Sequence, residues 1–314
     1  MAEFDLIAAI QARAASRDDV ILGIGDDAAL LQPPPGMLLV VAMDTLNAGV
    51  HFPDATAPAD IGWKALAVNL SDLAAMGAVP AWCTLSLSLP DADPGFVDGF
   101  LEGFAELARR HEVALVGGDT TRGPLSVCVT VHGFVEPGQA LRRDGARAGD
   151  DVWVSGALGD AAAALAQWQA GSAIDPALRA RLERPLPCVE LGRRLRGIAS
   201  ACIDVSDGLL ADLSHVCAAS GVGARVELAA LPASAALLVA TDGEAMQALQ
   251  ATGGDDYALC FTASPDARTT LAAMRVDGVA PTRIGCIVDE QGVVAVRADG
   301  SRWQPPRAGY QHFG

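Results

Sequence analysis

Val113-Ala-Leu-Val-Gly-Gly-Asp-Thr-Thr-Arg-Gly-Pro124 sets four apolar residues directly before two glycines and an aspartate. The same order recurs on either side. Gly25-Asp26-Asp27 follows the run Val20–Ile24, Asp44 follows Leu38–Met43, Asp204 lies within Ala201–Val205, and Ser206-Asp207-Gly208 comes next. Short apolar runs bounded by Gly and Asp read as strands, and helical stretches fall between them near 60–76, 94–110, 159–170, 187–197, 207–220 and 267–274. The alternation predicts a mixed α/β (α+β) chain. A polar stretch rich in Gly and Arg, Pro137–Asp150, separates two such series and predicts domains at 1–137 and 138–314.

A chain of 314 residues is long enough for two ordinary cores. Its most apolar helical stretch, Ile61–Val79, is broken by Lys64, Asn69 and Asp72, so no membrane span is expected. The first residues carry two acids and no basic leader, which points to the cytoplasm. Seven scattered cysteines, never spaced C-x-x-C, suggest neither a zinc ribbon nor a disulfide framework. A net charge of −16 argues against nucleic acid or an anionic membrane as partner. It leaves room for an anionic small molecule whose charge is bridged to carboxylates by divalent cations.

Any one of the aspartates also fits a turn, and Asp207 ahead of Gly208 and a helix fits an N-cap. As a set they predict cations, because gathered carboxylates repel one another unless positive charge lies among them. Oxygen donors select magnesium, calcium or manganese over zinc, and His51, His111, His132, His215 and His312 lack zinc-type spacing. In the 60–76 helix Leu66, Leu70 and Leu73 form a core stripe. Ala65, Val68, Asn69 and Asp72 share another face, which reads either as directed toward a site or as solvated. Gly117-Gly118-Asp119-Thr120-Thr121 and Ser155-Gly156-Ala157-Leu158-Gly159-Asp160 read as glycine-rich turns after strands, and the second opens a helix whose N–H groups suit phosphate. Lys64 is the only lysine and has no G-x-x-x-x-G before it, so there is no Walker A loop; H-R-D and D-F-G are absent too.

Taken in order, Gly23-Ile-Gly-Asp-Asp-Ala28, Met43-Asp-Thr-Leu46, Gly49-Val-His-Phe52, Lys64-Ala-Leu-Ala-Val-Asn-Leu-Ser-Asp-Leu-Ala-Ala-Met-Gly77, Gly117-Gly-Asp-Thr-Thr-Arg-Gly-Pro124, Ile203-Asp-Val-Ser-Asp-Gly-Leu209 and Gly253-Gly-Asp-Asp-Tyr257 resemble the thiamine-monophosphate kinase family nearly end to end. The resemblance implies a two-domain aminoimidazole-ribonucleotide-synthetase-like fold. Its N-terminal domain would pair strands across a dimer, and phosphates and several magnesium ions would lie between it and the C-terminal α/β domain. Asp27, Asp44, Asp72, Asp119 and Asp204 match magnesium ligands, with Asp207 an additional one. Gly118, Asp119, Arg143 and Ser206 match ATP-contacting positions, and His51 and Asp255 match positions facing the thiamine substrate. Three positions depart from the family. Ala42-Met43 precede Asp44 where Ser-Thr is common, so a metal contact at Met43 falls to its main-chain oxygen. Arg307 replaces an aromatic, leaving Trp303 or Tyr310 as substitutes. Asp255 replaces a glutamate one methylene longer.

The implied activity is ATP- and magnesium-dependent phosphorylation of thiamine monophosphate to thiamine diphosphate, the last step in forming that compound, by a cytoplasmic homodimer. The attacking phosphate oxygen is already ionised at neutral pH, so no general base and no covalent enzyme intermediate are needed. Catalysis then consists of holding two polyanions together, through cations on the aspartates, with electrostatic roles for Asp44, Asp119 and Arg143. Chemistry alone adds Arg122 and Lys64, which fit equally well an exposed turn arginine and a helix-surface lysine. One rival is another ATP-dependent phosphoryl-transfer synthetase of the superfamily. Its selenophosphate branch is disfavoured, because the first cysteine is Cys83 in a strand-like run. A magnesium-dependent phosphatase or a non-catalytic binder forms the second rival class.

Overall fold

The computed structural model describes residues 3–91, 93–305 and 309–310; Arg307 and His312 lie outside the described residues. The chain divides into two compact units, Met1–Leu73 with Ala78–Gly138, and Ala74–Gly77 with Gln139–Gly314.

The first unit contains α1 (Glu3–Gln11), the short antiparallel pair β1 (Val20–Leu22) and β2 (Leu30–Leu31), β3 (Leu38–Asn47), α2 (Pro58–Ala75, its last two residues counting with the second unit), β4 (Val79–Leu89), α3 (Pro94–Arg110), β5 (Ala114–Arg122) and β6 (Ser126–Val135). Strands β3 to β6 form a sheet in the order β3-β6-β4-β5, antiparallel except for the parallel β4–β5 pair. Helix α3 begins as its sequence dictates. The Asp93 side chain accepts the Gly95 N–H, Pro94 opens the first turn, and Arg109 and Arg110 sit at the negative end of the helix dipole.

In α2 the Leu66, Leu70 and Leu73 stripe is fully buried, but Ala65, Val68 and Asn69 are buried as well. A solvated opposite face is therefore overturned. Two glycines let α3 lie directly on this helix: a Cβ on Gly62 would come 2.0 Å from the Phe100 carbonyl oxygen, and one on Gly103 would come 1.8 Å from that of Ala59.

Two aspartates expected beyond strand ends lie inside strands. Asp44 is within β3 and Asp119 within β5, because both strands continue through residues that read as turns. Gly118 explains the second case. It adopts φ +153°, and a Cβ there would fall 1.8 Å from the Leu85 carbonyl oxygen across the β4–β5 pair, so glycine is what keeps the strand paired.

The second unit contains β7 (Asp151–Val154), α4 (Asp160–Gln169), α5 (Pro176–Glu183), α6 (Val189–Arg194), β8 (Ala199–Asp204), α7 (Leu209–Ser220), β9 (Gly223–Glu227), α8 (Ala235–Ala240), α9 (Gly243–Thr252), β10 (Leu259–Ala263), α10 (Arg268–Ala273), β11 (Thr282–Val288), β12 (Gly292–Val296) and β13 (Arg302–Trp303). Its sheet runs β13-β12-β9-β11-β7-β10-β8, with β9–β12 its parallel pair. Val152, Val154, Ile203, Leu209, Leu213 and Val216 are among the side chains of its core. Trp303, one of the two aromatics offered as a substrate contact, belongs to that core and is 6% exposed. The ring is spent on packing β13.

Asp151, 1% exposed, anchors one end of this sheet. It accepts Arg268 Nε and Nη2 at 2.6 and 2.7 Å and Arg283 Nε at 2.7 Å. The hydrogen bond from Arg268, with that of Arg283, holds its carboxyl below the usual carboxylate range against the opposing effect of burial. Replacing Asp151 by Asn should destabilise the second unit by about 2 kcal/mol, less than for a wholly buried pair because the arginines are partly solvated. A carboxylate with a depressed folded pKa contributes fully above its unfolded pKa of about 3.9 and loses that contribution as pH falls through the folded value. Denaturant titrations across pH should show the gap between wild type and Asp151→Asn closing in that acid window.

Candidate active site

In the first unit Asp27 is exposed in the loop between β1 and β2, its N–H accepted by Asp26 Oδ1 at 2.8 Å. Asp44 is half-buried on β3. Its N–H donates to Asn69 Oδ1 at 2.9 Å, and Asn69 Nδ2 donates in turn to the Ala65 carbonyl at 2.9 Å. A fully buried amide thus ties the strand bearing Asp44 to the helix bearing half-buried Asp72. The sequence placed Asn69 on the same face as Asp72 but gave no hint of this bond, which depends on tertiary pairing.

Pairing register fixes where these carboxylates stand. Asp44 lies opposite Val129, Val129 opposite Leu85, and Leu85 opposite Gly118, one row across the whole sheet. Asp44 and Asp119 therefore stand on the two edge strands of this sheet, with β6 and β4 between them. Among the described residues, no three His, Cys, Asp or Glu side chains form a group able to hold a metal by themselves.

The residues after β3 form a tight loop. His51 Nδ1 accepts the Asn47 N–H at 3.0 Å, so the neutral ring carries its proton on Nε2. Lys64 Nζ donates to the His51 carbonyl at 3.0 Å and is 2% exposed, which overturns the reading of a helix-surface lysine. Its cation fastens the loop that carries His51. Arg122 is exposed at the end of β5, with Nε 3.3 Å from the Pro90 carbonyl oxygen. Met43 lies on the edge strand β3, 62% exposed.

In the second unit Asp204 ends β8 and is buried, and Ser206 and Asp207 follow half-buried. Asp207 is not the cap of α7. The helix starts at Leu209 after Gly208, which makes no side-chain cap bond. Instead Asp212 reaches back from the first turn, and its Oδ2 accepts the N–H groups of Ser206, Asp207 and Gly208 at 3.0, 3.1 and 3.1 Å. Burial, then the charges of Asp207 and Asp204, push the Asp212 carboxyl up to about 7, against the pull of the donated N–H groups. Three acids at such close quarters make a place where positive charge is favourable.

The segment Gly253–Ala258 is laced to this loop. Asp255 N–H donates to the Ser206 carbonyl, Tyr257 N–H to that of Val205, and Val205 N–H to that of Ala258, each at 2.8 Å. Asp255 and Tyr257 both adopt left-handed backbone, φ 66° and 48°, at a cost on the order of 1–2 kcal/mol each. Between them Asp256 is buried, and both its carboxylate oxygens accept the Gly159 N–H at 3.0 Å. Burial pushes the Asp256 carboxyl well above the usual range. The start of α4, read as suited to phosphate, is therefore taken by an internal acid, while the Leu158 N–H is used by the Pro232 carbonyl. Tyr310, 47% exposed, donates its N–H to the Asp207 carbonyl at 3.1 Å. Arg143 is exposed, and its carbonyl accepts Ser220 Oγ at 2.8 Å.

With this geometry in hand, likeness to known proteins gains content. Residues 25–135 match the family described as AIR synthase related protein, N-terminal domain, and residues 147–297 match its C-terminal domain. The thiamine-monophosphate kinase of Escherichia coli K12 is 46% identical over 99% of this chain and 98% of its own. The crystal structure of the thiamine-monophosphate kinase from Stenotrophomonas maltophilia K279a superposes with a TM-score of 0.89 at 56% identity, covering 96% of this chain and 98% of that one. AaThiL, solved in complex with AMPPCP and TMP, superposes with a TM-score of 0.79 at 33% identity, covering 99% and 97%. The AIR synthase related framework in both halves, joined to close identity with these kinases over almost the full length, places this chain in the thiamine-monophosphate kinase family.

Proposed function

We propose that this protein transfers the γ-phosphoryl group of ATP to thiamine monophosphate, giving thiamine diphosphate and ADP. The observation that carries the reading is the full-length likeness to a relative solved with AMPPCP and TMP. One oxygen of the acceptor phosphate forms a bond to the γ-phosphorus as the bond from that phosphorus to the bridging oxygen of ADP breaks. The attacking oxygen needs no deprotonation, so the residues of the chain position the reactants and balance charge.

The donor set fits magnesium. Every candidate ligand is an oxygen, none is a thiol or an imidazole, and hard divalent ions take one or two carboxylates together with phosphate oxygens and water. Asp27, Asp44, Asp72, Asp119, Asp204, Asp207 and the Met43 carbonyl are the proposed metal ligands. Several ions are proposed, because these ligands outnumber the one or two carboxylates that a single magnesium usually takes. When bound, magnesium would neutralise charge on the transferring group. Gly118, Asp119, Arg143 and Ser206 are proposed to meet ATP, and His51, Asp255 and exposed Tyr310 the thiamine moiety. The domain division is retained at 137/138, in the gap between the two family matches.

A homodimer is also proposed. The edge strand β3 exposes Leu39, Val41 and Met43 at 51, 54 and 62%, and Val41 and Met43 lie opposite half-buried His132 and Thr130 on β6. An apolar edge of this kind is a liability unless covered. No described helix is long and apolar enough to cross a membrane, and a cytoplasmic location is proposed.

Purified protein incubated with thiamine monophosphate, ATP and magnesium should yield thiamine diphosphate and ADP in equal amounts. ATP consumption without thiamine diphosphate would favour another synthetase or a phosphatase. Asp44→Asn and Asp119→Asn should each lower kcat at least about a hundredfold with unchanged circular dichroism. Asp212→Ala, which strips three N–H groups of their acceptor, should cost about a hundredfold in kcat/KM, and Asp212→Asn, which keeps an acceptor oxygen, less than about tenfold. Val41→Glu should shift the sedimentation coefficient toward a monomer.

A further inference from the structure

We propose that Tyr257 is a positioning residue for the acceptor, its hydroxyl holding the Asp255 carboxylate in the orientation that recognises the phosphorylated substrate. The inference rests on the reading of function just given and deepens it by giving Tyr257 a role of its own.

Tyr257 Oη donates to Asp255 Oδ1 at 3.1 Å, and the tyrosine is 8% exposed while Asp255 is half-buried. A ring fixed by burial thus presents one polar atom to one carboxylate oxygen. The backbone makes this contact available. Residues 255 and 257 both take the left-handed conformation, and each is pinned by its N–H to the loop of Ser206, Asp255 to the Ser206 carbonyl and Tyr257 to that of Val205. Asp256 between them is locked onto the Gly159 N–H. Gly254 is held just as closely, since a Cβ there would lie 2.5 Å from the Ser206 carbonyl oxygen. The path of the chain is fixed at four successive residues, and the phenol adds a fixed point for the Asp255 side chain.

The hydrogen bond from the phenol restricts rotation of the Asp255 carboxylate and so helps to fix the direction in which it is presented to a ligand. Asp255 N–H and the Ser206 carbonyl share a bond, so the proposed acceptor-facing and nucleotide-facing positions belong to one rigid piece of backbone.

The test is steady-state kinetics of Tyr257→Phe, Asp255→Ala and the double variant, with thiamine diphosphate formation as the readout. Tyr257→Phe should raise KM for thiamine monophosphate about tenfold and change KM for ATP less than about twofold, the loss of a single bond to a charged group. In the Asp255→Ala background Tyr257→Phe should have no further effect on KM for thiamine monophosphate. Additive effects, or equal losses for both substrates, would overturn the proposal. Failure of Tyr257→Phe to fold would assign the hydroxyl to stability and overturn it too. Wild-type activity with an unchanged Tyr257→Phe KM removes only this proposal, whereas wild-type protein that makes no thiamine diphosphate removes the functional reading and the proposal with it.

Discussion

Three backbone N–H groups converging on one oxygen of Asp212 set the shape of the second unit's candidate site. Buried amide groups must be paired, and a loop that turns three consecutive N–H groups inward needs an acceptor at their focus. With the N–H groups of Ser206, Asp207 and Gly208 drawn toward α7, the carbonyls of Val205 and Ser206 are left to pair with the segment from Gly253 onward, and they do so. Asp207 in turn receives the Tyr310 N–H on its own carbonyl. The order of the site is therefore imposed by main-chain accounting, and the side chains offered to ligands ride on it.

The carboxylates of this acidic chain fall into two populations. Asp151, Asp212 and Asp256 are consumed by the fold, by guanidinium groups in the first case and by backbone amides in the others. Asp27 and Asp119 are exposed and Asp44, Asp72 and Asp207 half-buried, so charge can reach them from solvent. This division matters for reading a net charge of −16. The excess of acid is not uniformly a cation trap, and an aspartate beside a glycine is as apt to serve a neighbouring N–H as a metal.

The sequence made the class of fold and the candidate aspartates legible because both are local signals, apolar runs and their punctuation. It failed where the answer lay on another element. Asp44 and Asp119 were placed beyond strands whose length depends on pairing, and the glycine that seemed to end β5 is the one that lets it pass Leu85. Asn69 looked like a neighbour of Asp72, and nothing within α2 announces that its amide serves β3. Asp256 sat inside a motif already noticed, yet its partner Gly159 is 97 residues away. Trp303 was offered in place of the aromatic that Arg307 replaces, whereas the sheet's outer strand needed it for the core.

The burial of Lys64 has a practical side. It is the sole lysine of the chain, and its ammonium is enclosed and bonded to the His51 carbonyl. Reagents that acylate side-chain amines, and proteases that cut after lysine but not arginine, therefore meet no target on the folded first unit. Acylation at this one position would report opening of the helix that carries it, so the native chain contains a chemical clock for its own unfolding that requires no engineered label.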